Sequence, residues 1–478
     1  MTVVHQWKLR ADFAKRLSTM YGREVPAYTT LVDVCHEVNT DVLTAGGDDA
    51  QRLGSIERVS AERHGAIRIG TRTEMAQLAA IFAGFGMFPV GFYDLREAAT
   101  RAVPVVSTAF RPIDSEELAR NPFRVFTSML VASDRRFFDA DLQSRLENFL
   151  DARQLFSPEL LQLADRAAAH QGLEPDDAER FLAVATAAFE LSREPVDRAW
   201  YEELQAVSAV AADIGGVAST HVNHLTPRVL DIDELYRRMA ARGVDMIDAI
   251  QGPPRWDGPD LLLRQTSFRA LAERRQFRER NGQTTSGDLR VRFGEVEARG
   301  IAVTPLGRRL YDELTAATER TVAESPAGAR VAEDRNQIAA DIWHDRMPRT
   351  ETQLVTDDLA YFTFRLGESH DRSVTPPTKL ANLVQQGWLR AEPIVYEDFL
   401  PKSAAGIFQS NLTSDGRRDD TQSVVDIDSG WMEAALGATL HDPDALYASL
   451  RARSLARVAQ ELDLRDIDTT PTREGQRT

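Results

Sequence analysis

One short stretch of this chain occurs twice, and a repeat of this kind restricts the folds open to it. The segment His64-Gly-Ala-Ile-Arg68-Ile-Gly-Thr-Arg-Thr73-Glu74-Met75 aligns without gaps with His224-Leu-Thr-Pro-Arg228-Val-Leu-Asp-Ile-Asp233-Glu234-Leu235. Histidine pairs with histidine, arginine with arginine and glutamate with glutamate. Internal similarity is the signature of a duplicated structural unit. Each copy leads from a strand-like run to a candidate N-cap, Thr73 or Asp233, then to an acid and an apolar pattern of helical spacing. That pattern is Met75, Leu78, Ala79 and Phe82 in the first copy, and Leu235, Met239 and Ala240 in the second. Glycines at Gly84 to Gly86 and at Gly243 mark the helix ends, and Phe88-Pro-Val-Gly-Phe-Tyr93 reads as a following strand. Strand, turn and helix, twice over, put His64 and His224 in equivalent places.

Residues four apart on a strand share a face, so Arg68 projects to the side of His64, about 13 Å along at a rise near 3.3 Å per residue. A metal ligand and an anion clamp can then share a pocket. The competing reading is that the histidines cap strands or satisfy core hydrogen bonds, and that Arg68 makes a structural ion pair. His221, three residues before His224, faces the opposite side of a regular strand.

Composition narrows the chemistry. Cys35 is the sole cysteine, which excludes an intrachain disulfide and a multi-cysteine metal site, so a metal here must use His, Asp or Glu. The 73 acidic and 57 basic residues leave a net charge of −16, a balance that repels nucleic-acid backbones and argues against such a partner. No run reaches the roughly 18 apolar residues of a membrane helix, and Met1 to Glu24 lacks an apolar signal core; the expectation is a cytoplasmic protein with no membrane partner.

The fold class expected is α+β, with short apolar runs and single amphipathic helices on both sides of a helical insertion. We expect one elaborated catalytic domain over 1–465: a first metal module at about 55–110, the helical insertion at about 111–205, a second metal module at about 215–300 and a substrate-closing region at about 301–465. Inside the insertion, Ser157-Pro158-Glu159 starts one helix and Pro175 another. Thr304-Pro305 opens a later helix and Thr378 caps one that ends before Gly387. Residues 466–478 are polar enough to read as a flexible tail.

Assembled in order, five strings make the chain resemble the 2-oxoadipate dioxygenase/decarboxylase family, also called hydroxyglutarate synthases. They are Tyr28-Thr-Thr-Leu-Val32, Arg63-His-Gly-Ala-Ile-Arg68, His221-Val-Asn-His-Leu-Thr-Pro-Arg228, Arg292-Phe-Gly-Glu-Val-Glu-Ala-Arg-Gly300 and Phe399-Leu-Pro-Lys-Ser-Ala-Ala-Gly-Ile-Phe408. The resemblance implies a vicinal-oxygen-chelate-like fold, in which repeated βαβββ modules form a cupped sheet around one metal. It further implies a non-haem Fe(II) held by two histidines, here His64 and His224, and one glutamate. Glu295 and Glu297 lie two apart on one face, so periodicity does not choose between them, and Gly294 is a candidate bulge. The family pattern favours Glu295. By the same resemblance Arg68 binds a substrate carboxylate and the loop containing Ser403 grips the far one, although Lys402 stands where an apolar residue is expected.

The implied reaction takes 2-oxoadipate and O2 to (R)-2-hydroxyglutarate and CO2, in lysine catabolism. Two neutral imidazoles and one carboxylate leave three positions open on Fe(II) and a net charge of +1, which suits an anionic bidentate 2-oxo acid together with O2. The alternatives are a metal-dependent lyase or isomerase on the same fold, separated by oxygen consumption, and a non-catalytic binding protein for a small oxo diacid, separated by metal content.

Overall fold

The first copy of the repeat builds a strand, Arg63–Ile69, a helix, Arg72–Gly84, and three more strands, Phe88–Asp94, Val105–Arg111 and Arg124–Leu130. A computed structural model describes residues 3–46, 52, 56–97, 103–289, 292–324, 332–367, 374–411 and 416–471. The last of those strands returns beside the first and parallel to it, with Arg124 opposite His64 and Ser128 opposite Arg68. A parallel return needs a crossover, which the helix and the two intervening strands supply. The second copy repeats the start, with strand Val222–Pro227 and helix Ile232–Ala241. Strand Leu263–Phe268 then pairs antiparallel with Gly294–Arg299, and bridges at Met246 and Gln251 line its other edge.

The two copies meet where the His64 and His224 strands run antiparallel, His64 opposite Thr226 and Ala66 opposite His224. Strand order across the larger sheet is Phe88–Asp94, Val105–Arg111, Arg124–Leu130, Arg63–Ile69, Val222–Pro227. Gly294–Arg299 adjoins its open edge, where Arg228 bridges Glu297 and the Val229 N–H donates to the Glu297 carbonyl at 2.8 Å.

Several expectations hold and others need correction. The N-caps are Thr71 and Asp231, not Thr73 and Asp233; their side chains accept from the backbone N–H of Glu74 and Glu234. Both caps sit at the same place in the repeat, because a cap must reach the third helical residue, and each glutamate is that residue. Arg124–Leu130 lies inside the stretch expected to be helical, yet it is a sheet strand buried along its whole length. Its near-continuous Val-Phe-Thr-Ser-Met-Leu run suits a strand covered on both faces. One short helix, Ser115–Arg120, precedes the strand, and the main helical stretch follows it with Ala140–Ala152, Pro158–His170, capped by Ser157, and Pro175–Ala187.

Helix Arg72–Gly84 covers the face opposite His64, with Phe82 against Phe110 at 4.9 Å between ring centroids. Its last residue, Gly84, abuts Ala164, where an added Cβ would lie 3.0 Å from the neighbouring backbone. Helix Pro305–Glu324 forms as expected, but Lys379 rather than Thr378 is the cap of Leu380–Gln385. The chain end is docked further than a free tail: Asp468 pairs with Lys379 and Ile467 is buried. Residues 472–478 lie outside the described ones.

Candidate active site

His64 and His224 sit diagonally across the antiparallel junction, on one face, with ring centroids 5.5 Å apart and planes at 84°. Glu295 comes to them from the adjoining strand. Its Oε2 is 3.4 Å from His64 Nε2 and its Oε1 is 3.4 Å from His224 Nδ1. One ligand atom from each residue lies within 4.8 Å of the others, and all three side chains are buried. Tyr21 of the N-terminal helix fixes the two contributing strands, since its hydroxyl donates to the carbonyls of Asn223 and Phe293 at 3.0 and 2.8 Å. Phe399 stands edge-on to His64 at 5.0 Å and Phe293 tilts over His224 at 5.3 Å, so the cluster has apolar walls.

The two glutamates that periodicity left equal are separated by depth. Glu297 reaches the far edge of the His64 ring, where its Oε2 is 2.9 Å from Nδ1, off the line of the ring N–H. Arg124 and Arg299 donate to the same carboxylate. Gly294 forms no bulge; it pairs in regular register with Phe268, and a Cβ there would overlap that ring.

Burial, with the charges of His64 and Arg68, pushes the His224 imidazole well below its ordinary pKa, so it is neutral and carries a lone pair. Its Nδ1 is buried and makes no hydrogen bond among the described residues. Burial also raises the Glu295 pKa, against the pull of His64. For His64 burial acts downward, but Glu297 and Glu295 outweigh it and the pKa rises. Burial would raise Glu297 too, yet Arg299, His64 and Arg124 hold it at about 2. Two imidazoles, a buried carboxylate and an orphaned ring nitrogen fit a divalent transition metal, which would supply the missing positive charge.

Arg68 lies buried on the same face, and its Nη1 donates to Asp213 Oδ2 at 2.6 Å. Asp213 also accepts from Asn223 Nδ2 at 2.8 Å. His221 is not on the opposite side, as a regular strand would have it. The register shifts between Ala66 and Ile67, placing Val222 rather than Asn223 across from Ile67, and this brings His221 Nε2 to 3.5 Å from Asp213 Oδ1. His221 stays outside the His/His/Glu cluster. Arg228 points away, to Glu62 at 2.9 Å.

Ser403 is buried in a helix, Pro401–Asn411, and not in a loop as expected; Lys402 beside it is exposed. The end of that helix lies over the site sheet, since Asn411 Nδ2 donates to Ser267 Oγ at 2.8 Å and Ser267 is paired with Glu295. Sequence reasoning missed Asp213, Tyr21 and the partners of Glu297. A lone acid in the small apolar run Ala209–Gly215 was a usable signal for Asp213, and strand spacing two residues beyond Glu297 was one for Arg299; nothing local marked Tyr21 or Arg124.

A buried two-histidine, one-glutamate cluster at the junction of a duplicated sheet, with an anchored arginine on the same face, belongs to an enzyme that pairs a possible metal site with a small anionic substrate. The chain belongs to the 2-oxoadipate dioxygenase/decarboxylase family, which residues 13–411 match. The 2-oxoadipate dioxygenase/decarboxylase of Mycobacterium tuberculosis is 54% identical over 443 residues, 93% of this chain and 96% of that one. The protein of the same name from Pseudomonas putida is 40% identical over 464 residues, 95% and 97% of the two chains. The crystal structure of the Pseudomonas putida hydroxyglutarate synthase in complex with 2-oxoadipate superimposes with a TM-score of 0.82 at 38% identity, covering 97% of this chain and 99% of that one. Among the described residues no helix is long and apolar enough to cross a membrane.

Proposed function

We propose that this chain converts 2-oxoadipate and O2 to 2-hydroxyglutarate and CO2, with Fe(II) held by His64, His224 and Glu295. The observation that carries the reading is the convergence of those three buried side chains in a member of this family. A strand, a helix and three strands, begun again at Val222, support a vicinal-oxygen-chelate-like architecture around the site. Fe(II) supplies one-electron chemistry with O2 and a Lewis-acid seat for a 2-oxo acid. The atoms balance: one carbon leaves as CO2, one oxygen of O2 enters the new carboxylate and the other the new hydroxyl.

The protein's own side chains orient and exclude. Arg68 offers a planar donor fork to a substrate carboxylate, and Asp213 takes Nη1 so that the fork is held before substrate arrives. Ser403, on the helix covering the site, is the candidate donor to the far carboxylate. Phe126, Phe399 and Tyr93 pack together beside His64 and keep water from the reacting carbon.

The test is anaerobic loading with Fe(II), then 2-oxoadipate and O2, with oxygen uptake, CO2 and 2-hydroxyglutarate measured together. One-to-one-to-one stoichiometry in the wild type, lost with the bound iron in His64→Ala, His224→Ala and Glu295→Gln, is expected. Iron binding without oxygen uptake would overturn the dioxygenase reading in favour of a lyase.

A further inference from the structure

Glu297 lies on the site face but outside the proposed ligand set, and it is wholly buried. A buried carboxylate is costly unless its oxygens are matched by donors. Here Oε1 accepts from Arg299 Nε at 2.8 Å and Arg124 Nη1 at 3.3 Å, and Oε2 accepts from Arg299 Nη2 at 2.8 Å. The remaining neighbour of Oε2 is His64 Nδ1 at 2.9 Å, a close charge contact without the alignment of a hydrogen bond. We propose that Glu297 is a positioning residue, whose charge beside Nδ1 favours the His64 tautomer protonated there and so leaves the Nε2 lone pair on the side of Glu295 and His224. The inference rests on the ligand set given above.

The geometry separates this role from two others. Glu297 meets the Nδ1 edge of the ring whereas Glu295 meets the Nε2 edge, so the two carboxylates cannot serve one ion on the same side of His64. Nor is Glu297 merely a counter-charge for arginines, because those arginines have other acids: Arg124 donates to Glu62 Oε1 at 2.7 Å and to Glu397, and Arg299 Nε is 3.6 Å from Glu62. Glu397 in turn precedes Phe399, whose ring flanks His64. One charge network therefore sets both the edge and the flank of the imidazole. A carboxylate on the second nitrogen makes the first a better-directed and more basic ligand, typically by about 10–100-fold in metal affinity.

The test is Co(II) binding to the full chain, read as chelator-competition affinity and as the ligand-field spectrum, beside thermal melting, in Glu297→Gln, Glu297→Asp and Glu62→Gln. Glu297→Gln and Glu62→Gln both lower the melting temperature, since both disturb the same arginines. Only the Glu297 variants lose about 10–100-fold in cobalt affinity and shift the spectrum. Wild-type affinity in Glu297→Gln, or an equal loss in Glu62→Gln, would overturn the inference. If Glu297→Gln does not fold, Glu297→Asp decides: it keeps the charge among the arginines but draws the carboxylate back by one methylene, and an unchanged affinity and spectrum sinks the proposal. Failure of the wild type to bind cobalt would instead overturn the ligand set, and this inference with it.

Discussion

Arg68 shows how much a single side chain depends on what stands behind it. The guanidinium is buried, and its contact with Asp213 restrains its rotamers, so the proposed carboxylate clamp would have less freedom left to lose. Lysine cannot reproduce the fork, and losing a charge-assisted hydrogen bond costs about 1.5–3 kcal/mol. Arg68→Lys is therefore expected to raise KM for 2-oxoadipate by about 10–100-fold in steady-state assays, with metal content unchanged. His221, beside Asp213, gives a pH signature. Burial lowers its pKa to about 4, against the pull of Asp213, from an ordinary 6.5. The unfolded chain thus binds the proton first as pH falls, so this group removes stability between about pH 6.5 and 4. Urea denaturation of the metal-loaded protein across that window should show a shallower loss in His221→Gln than in wild type.

At the scale of the element, the duplicated caps make a paired prediction. Thr71 and Asp231 do the same work at the same offset, so replacing either with alanine should cost about 1 kcal/mol in denaturant titrations. The Thr71 variant should cost the more, because Glu74 returns hydrogen bonds to the N–H groups of Gly70 and Thr71 while also pairing with Arg153. The strand that carries Glu295 begins at Gly294, and there glycine answers a close approach: a methyl group would enter the Phe268 ring in a fully packed pair of strands. Gly294→Ala should destabilise by about 1–3 kcal/mol and weaken metal binding together, because the strand must shift to admit the methyl. Unchanged cobalt affinity in a destabilised Gly294→Ala would show that Glu295 is placed independently of this contact.

Across the whole molecule, buried ion pairs join regions far apart in sequence. Arg111, on the first unit's sheet, donates to both oxygens of Asp398 at 2.8 and 3.0 Å, and the Tyr447 hydroxyl donates to the same carboxylate. This junction seats the segment that carries Phe399 against His64 and leads into the Ser403 helix. Removing one partner of a buried pair costs about 3–5 kcal/mol, since the other charge is left uncompensated. Asp398→Ala should show that loss in urea denaturation and, because the covering segment is unseated, a higher KM for 2-oxoadipate.

Residues alone located most of the His/His/Glu cluster. The repeat paired His64 with His224, strand spacing put Arg68 beside them, and cap-and-stripe patterns found the helices that begin at Pro158, Pro175 and Pro305, because these signals are carried by neighbours within a few residues. Resemblance to the family, not spacing, favoured Glu295. The buried strand Arg124–Leu130 escaped notice since it is covered on both faces, and its mix of apolar and polar residues has no period to read. Local pattern states which face a strand residue occupies, and there Glu295 and Glu297 are alike. Only the tertiary structure gave them different ring edges, turned His221 towards Asp213 through a one-residue register shift, and supplied Arg124 and Tyr21 from distant segments. Those outcomes depend on which strands become neighbours, and that is decided by packing between segments that the sequence keeps far apart.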